Sequence, residues 1–172
     1  FEPVPNYFRS LEKLATMNTE FKLFPNQYAL GEKKGFTDIC ISNNNSGWNT
    51  VVPGGMKTRY IRQRLEVPID RLDNYIQEHN LSKIKLIKID VEGFEFPVLK
   101  GLSNYFDTRE SLPIIICEIV PAVYPLMGSM LSQLISYMKR YGYVTRNIIN
   151  NKKIDISAIE DTELVVFFPE NR

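Results

Sequence analysis

The sequence is poor in residue types that catalytic and metal sites often use, and it carries almost no net charge. Only one histidine, His79, is present among 172 residues. A Ser–His–Asp or Cys–His arrangement therefore has no convincing place, and His79 has no His or Cys partner at a metal-ligand spacing. Lysine and arginine number 21 and aspartate and glutamate 20, which leaves a net charge of +1. Because no basic block is present, we expect no nucleic-acid partner.

Cysteine is scarce as well, with Cys40 and Cys117 each inside a short apolar run. This pattern favours two buried free thiols in a reducing compartment over a structural disulfide. No apolar stretch approaches the roughly 18 residues that a membrane-spanning helix needs, and no signal peptide is visible. We therefore predict a cytoplasmic protein without a membrane partner.

The order of apolar and polar residues predicts a single α/β domain over residues 1–172. Apolar spacing predicts helices over residues 5–18, 72–81 (with Asp73 as N-cap), 94–102 and 129–142. Alternating or continuous apolar runs predict strands over residues 20–30, 36–42, 60–69, 84–91, 112–120, 143–149 and 162–169. Asn and Gly mark a long loop over residues 43–55. The alternation of strand and helix predicts an α/β sandwich with a largely parallel central sheet.

Carboxylates are concentrated at one predicted strand end. Asp90 lies at the end of the strand over residues 84–91, Glu92 and Glu95 follow it, and Glu118 lies at the same end of the next apolar run. Because ligands bind beyond the carboxyl ends of parallel strands, we expect Asp90 and Glu118 to converge if these strands are neighbours. Such carboxylates could share a proton, hold a divalent cation or take a proton from a substrate hydroxyl. A simpler alternative stays open, in which Asp90 caps the next helix and the glutamates favour its N-terminus.

Two further segments place residues where a ligand could bind. Glu2 follows an apolar residue and precedes Pro3, as at a strand end that leads into a helix. In the Asn- and Gly-rich loop, Trp48 could line a substrate pocket. Alternatively, Trp48 packs onto the domain and has only a structural role. Ser46 and Asn49 could form hydrogen bonds with substrate hydroxyls.

Several segments, in this order, resemble the FkbM family of S-adenosylmethionine-dependent methyltransferases. They are "FEPVPNYFRSLEKL", "ALGEKKGFTDICIS", "SGWNTVV", "VPIDRLDNYI", "LIKIDVEGFEFPVLKGL" and "IIICEIVP". The resemblance implies a Rossmann-like class I methyltransferase fold with an antiparallel C-terminal strand, here "ELVVFF". It also implies methyl transfer to a hydroxyl oxygen, often on a sugar or a secondary metabolite.

The resemblance also implies roles for the carboxylates. Glu2 corresponds to the acid that binds both ribose hydroxyls of S-adenosylmethionine, and a carboxylate suits a vicinal diol. Asp90 and Glu92 correspond to the acidic motif beside the methyl donor, and Glu118 to the acid after the next strand. Any of these three could remove the hydroxyl proton. Asp90 and Glu118 also resemble, by analogy alone, the carboxylates that hold a magnesium ion in some other O-methyltransferases.

The chain departs from the family pattern at its start. The family's first strand and glycine-rich loop should precede "FEP", where this chain begins with Phe1. We therefore expect an N-terminally truncated methyltransferase domain that binds S-adenosylmethionine weakly or not at all by itself. The alternative is a non-catalytic or nucleotide-binding Rossmann-like module that has lost methyl transfer.

Overall fold

The structure is a computed structural model that describes residues 1–109 and 111–170, with only the backbone of Ser46. The strands within these ranges are β1 Ala29–Leu30, β2 Gly35–Ser42, β3 Ile61–Asp70, β4 Leu86–Ile89, β5 Ile114–Ile119, β6 Tyr143–Asn147 and β7 Glu163–Pro169. The α-helices are α1 Pro5–Met17, α2 Leu72–Glu78, α3 Glu95–Lys100, α4 Ser103–Thr108 and α5 Leu131–Arg140. None of the helices in the described part of the chain is long and apolar enough to cross a membrane.

Most of the predicted elements are confirmed, but one strand is largely wrong. Helix α5 is followed by Gly142 at φ 78°, a left-handed conformation that suits glycine after a helix. The strand predicted over residues 20–30 is reduced to β1. Residues 20–28 pair with no strand in the described chain, and a strand needs a partner to satisfy its backbone groups.

The strands form two mixed sheets, and the predicted largely parallel character of the sheet is not confirmed. One sheet has the order β1-β3-β2, with β1 parallel and β2 antiparallel to β3. The other has the order β4-β5-β7-β6, with β4 parallel to β5, and β7 antiparallel to both of its neighbours. Strands β2 and β3 follow each other without an α-helix between them, and such strands pair antiparallel. The predicted antiparallel "ELVVFF" strand is confirmed as β7, and the Rossmann-like classification stays a prediction.

The larger hydrophobic core lies against the four-stranded sheet. Alternate residues of β5, Ile115, Cys117 and Ile119, are fully buried, and residues of α3, α4 and α5 complete their cluster. Each such apolar side chain contributes about 1.5–3 kcal/mol on burial. Ile114 and Ile116 are only half-buried. The helices of this cluster therefore bury only the alternate residues of β5.

Asp73 caps a different helix from the one predicted. Helix α2 has Arg71 as its N-cap residue, with no side-chain capping bond. The buried Asp73 carboxylate instead accepts the N–H groups of Asn104 at 3.0 Å and Tyr105 at 2.9 Å, in the first turn of α4. Arg71 forms an ion pair with the same carboxylate at 2.7 Å. Asp73 therefore joins α2 to α4.

Phe94 links the core of one sheet to that of the other. The three-stranded sheet has its own cluster, which consists of Val4, Ala29, Ile39, Ile41, Val67 and Ile69. Phe94, just before α3, packs against this cluster and also against the larger core. The turn between β4 and α3 therefore lies where the two sheets meet.

Candidate functional site

An open cleft of about 640 Å³ lies between the two sheets. Its walls come from the first four residues, from β1 and β2, from β4 and the turn after it, and from α2. Most of the lining side chains are apolar, with Glu2, Asp90 and Glu92 among the exceptions. Small-molecule sites typically occupy about 300–1,000 Å³ and combine apolar walls with a few polar groups. The cleft therefore has the size and lining of a ligand site.

Three of the predicted carboxylates converge beside this cleft. Strands β4 and β5 are parallel neighbours, and Ile89 is paired with Cys117. The next residues, Asp90 just after β4 and Glu118 near the end of β5, therefore lie at the same end of the two strands. One oxygen each of Asp90, Glu92 and Glu118 lies within 4.8 Å of the others. The predicted convergence of Asp90 and Glu118 is thus confirmed.

The cluster perturbs the acidity of its members in different ways. Burial, followed by the negative charges of Glu118 and Asp90, raises the pKa of Glu92 to about 7. Burial and the charge of Asp90 also raise the pKa of Glu118. Asp90 itself is half-exposed and forms an ion pair with Lys88. The pKa of Glu92 therefore lies close to neutral pH, where a carboxyl group can exchange a proton readily.

The turn that carries Glu92 has a constrained backbone. Glu92 and Gly93 both have positive φ, at 52° and 99°. A Cβ on Gly93 would lie 2.2 Å from Val123 Cγ2, so the position has no room for a side chain. The fully buried Glu95 accepts the Gly93 N–H at 2.7 Å, and burial raises the pKa of Glu95 to about 7. Glu95 belongs to the same acidic stretch, but it is buried and stabilises the turn through this hydrogen bond to Gly93.

Glu2 lines the same cleft, from the segment that precedes α1. Its Oε1 accepts the N–H of Val4 at 2.8 Å, and its own N–H donates to the Asn26 carbonyl at 3.0 Å. Burial raises the pKa of the half-buried Glu2 carboxyl. A carboxylate has about four acceptor positions, so the bond to Val4 leaves capacity for a ligand diol.

The loop residues predicted to contact substrate differ in their placement. Asn49 lines the cleft, and its Oδ1 accepts the Ser42 N–H at 2.9 Å. Trp48 lies in a short 3-10 helix, is 51% exposed and is not among the cleft's lining residues. The side chain of Ser46 lies outside the described atoms. The substrate roles of all three residues stay predictions.

Thr50 is a residue of this site that the sequence did not reveal. It is buried, and its hydroxyl donates to the Glu92 carbonyl at 2.9 Å. In the sequence it is one polar residue among many in the Asn- and Gly-rich loop. Only the contact with a turn 42 positions away marks it as part of the site.

The three converging carboxylates have the ligand type that a divalent cation accepts. Exposed acidic groups are also common without an ion, so the cluster by itself does not establish a cation site. The metal role of Asp90 and Glu118 therefore stays a prediction.

Comparison with known proteins identifies the family. A sequence model of the methyltransferase FkbM domain matches residues 1–145. "Methyltransferase 1" of Beauveria bassiana (strain ARSEF 2860) is 23% identical over 134 residues, which cover 69% of this chain and 54% of that protein. This chain thus spans about half the length of that curated relative. No solved structure matches the chain significantly. Because the domain match covers most of the sequence, the chain belongs to the FkbM methyltransferase family.

Proposed function

We propose that this chain forms part of an enzyme that transfers a methyl group from S-adenosylmethionine to a hydroxyl oxygen. The observation that carries the proposal is the cleft between the sheets, which Glu2, Asp90 and Glu92 all line. Membership of the FkbM family supports methyl transfer as the reaction class. The same membership does not favour a non-catalytic or nucleotide-binding module.

The residues present fit S-adenosylmethionine. Glu2 would accept hydrogen bonds from the ribose hydroxyls, because it retains acceptor positions beyond its bond to Val4. The apolar walls suit the flat adenine base, and the negative charges of Asp90 and Glu92 attract a cationic ligand. When bound, S-adenosylmethionine supplies an electrophilic methyl carbon.

We assign the three carboxylates beside the cleft to proton transfer and positioning. Glu92 accepts the proton of the acceptor hydroxyl, since its pKa of about 7 suits a general base near neutral pH. Burial, and after it the charge of Glu118, holds that pKa high. Asp90, paired with Lys88, places a further carboxylate in the lining of the cleft. The walls align the hydroxyl with the donor.

We propose a small molecule or glycan with a free hydroxyl as the methyl acceptor, and neither nucleic acid nor a membrane as a partner. Trp48, with about half of its surface exposed, could stack on the apolar face of a sugar ring, and Ser46 and Asn49 could contact its hydroxyls.

The predicted free thiols are confirmed, since Cys40 and Cys117 are buried and unpaired. They support a cytoplasmic location, because free cysteines are typical of reducing compartments.

The test uses the complete enzyme that contains this chain. Calorimetric titration with S-adenosylmethionine should show binding that E2A weakens by about tenfold or more, as expected for two lost hydrogen bonds to a charged acceptor. Transfer of a radiolabelled methyl group to a panel of sugars and small hydroxylated metabolites should fall by about 100-fold in E92Q. It should fall by a smaller factor in D90A and E118A, because these residues set the charge around Glu92. The control E66Q changes an exposed carboxylate on β3 and should leave both properties unchanged. Intact turnover in D90A or E118A would contradict their roles.

A further inference from the structure

The peptide group between Glu92 and Gly93 is held by side chains at both of its polar atoms. The Thr50 hydroxyl donates to the Glu92 carbonyl oxygen at 2.9 Å. The Gly93 N–H, on the other side of the same peptide, donates to Glu95 Oε1 at 2.7 Å. Because a peptide group is planar and rigid, these two hydrogen bonds fix the direction in which it faces.

This turn needs such support because its conformation is intrinsically unfavourable. Glu92 has a φ of 52°, and the left-handed region costs a residue with a Cβ about 1–2 kcal/mol. Such conformations persist where surrounding contacts over-determine them. Without the two hydrogen bonds, Glu92 could return to negative φ. Its side chain would then leave the backbone in another direction, away from Glu118.

The two supporting side chains are anchored on different parts of the fold. Thr50 is 4% exposed, and its backbone exchanges hydrogen bonds of 2.9 and 3.2 Å with Cys40 of β2. Glu95 is fully buried in the first turn of α3, and its Oε2 has no hydrogen-bond partner in the described part of the chain. Burying a carboxyl in this way costs stability, and the Glu95 Oε1 accepts a backbone N–H of the turn that carries Glu92.

We propose that Thr50 and Glu95 are positioning residues that together orient the Glu92–Gly93 peptide and so direct the Glu92 carboxylate into the cleft. Neither residue is part of the cleft lining, whereas Glu92 is, so both act through Glu92. The inference rests on the proposed function, which gives Glu92 its role beside the methyl donor. It also connects the Asn- and Gly-rich loop to the acidic turn through Thr50.

Amide hydrogen exchange at Gly93, measured by NMR in the complete enzyme, tests this inference. T50V removes the hydroxyl at nearly constant shape and should accelerate Gly93 exchange by about tenfold or more. T50S keeps the hydroxyl and should stay within about threefold of the wild type. The amide of Cys117 in β5 should exchange equally slowly in all three proteins, which shows that the effect is local. E95M removes the acceptor of the Gly93 N–H at similar side-chain volume and should accelerate Gly93 exchange in the same direction.

Binding of S-adenosylmethionine to the same variants separates the inference from the proposed function. We expect T50V to weaken binding by about fivefold, and T50S to restore wild-type affinity, because Glu92 lies beside the donor. Unchanged Gly93 exchange in T50V, or exchange in T50S as fast as in T50V, overturns the positioning role. If the wild-type enzyme binds no S-adenosylmethionine, the proposed function fails, while the exchange rates still decide whether Thr50 holds the peptide.

Discussion

Glu92 follows β4 and Glu118 lies near the end of β5, yet one carboxylate oxygen of each lies within 4.8 Å of the other. This proximity contributes, after burial, to the rise of the Glu92 pKa to about 7. We predict that E118Q lowers the Glu92 pKa towards its ordinary value, because a negative neighbour disfavours ionisation. Carbon-13 NMR of the Glu92 carboxyl across a pH titration measures the change. E66Q, at an exposed site on β3, is the control, and an unaltered Glu92 pKa in E118Q would refute the coupling.

The same relationship predicts the pH dependence of methyl transfer. Glu92 is protonated below its raised pKa and becomes a base above it. Turnover should therefore rise with pH through about 7, and in E118Q the rise should move to lower pH. E92Q should remove this rise of turnover with pH and should lower the rate by about 100-fold. A rising limb that persists in E92Q would show that another group accepts the proton.

Glu95 should make the folded state less stable as the pH rises. Its pKa is raised by burial from 4.5 to about 7, so the folded protein retains a proton that the unfolded chain has already lost between these values. The stabilising contribution of the Glu95 proton is fully present below about pH 4.5 and is lost as the pH rises through about 7. A pKa shift of this size corresponds to roughly 3 kcal/mol of folding stability. Urea unfolding at pH 5 and pH 8 should show a smaller stability difference in E95Q than in the wild type. The exposed-site variant E66Q should retain the wild-type difference.

Gly93 should tolerate a side chain less well than another glycine of similar conformation. Gly93 and Gly128 both have positive φ, but only at Gly93 would a Cβ meet a neighbour within 4 Å, the side chain of Val123. We predict that G128A costs about 1–2 kcal/mol from backbone strain and that G93A costs roughly 2–3 kcal/mol more from overpacking. Thermal unfolding measures both. Adding V123A should recover part of the G93A loss, and equal losses in G93A and G128A would contradict the steric explanation.

Asp73 should matter for stability far more than an exposed aspartate. It is buried and accepts two N–H groups of α4 as well as the Arg71 guanidinium. D73A leaves those donors without their acceptor and should cost about 2–4 kcal/mol. D38A, at an exposed position of β2, should change stability by less than about 0.5 kcal/mol. Denaturant unfolding compares the two, and a D73A loss as small as that of D38A would argue against the cap.

The sequence was a good guide to the local elements and to where the acidic residues concentrate. Apolar periodicity located α1 and α5, and the short apolar runs located β4 and β5, because these patterns depend on residues close together in the chain. The neighbouring placement of Asp90 and Glu118 also followed, since parallel strands present their carboxyl ends at one edge. The family resemblance, carried by the acidic motif between β4 and α3, is confirmed by the domain match.

Other features depend on contacts between distant parts of the chain, and the sequence pattern could not predict them. Asp73 looked like the cap of its own helix, but its carboxylate reaches the start of α4 about 30 positions away. Strand β7 lies between β5 and β6, and no local pattern specifies which strand becomes a neighbour. The sheets are consequently mixed.

The acidic stretch shows most directly what each level decides. The sequence alone determined that three carboxylates, Asp90, Glu92 and Glu95, lie between the end of a strand and the first turn of a helix, because residue types and short-range periodicity suffice for that. The tertiary structure decided their separate environments: Glu92 faces the cleft beside Glu118, whereas Glu95 lies in the core and supports the turn with Thr50. The physical reason is that burial and electrostatic coupling arise only when segments distant in sequence pack together.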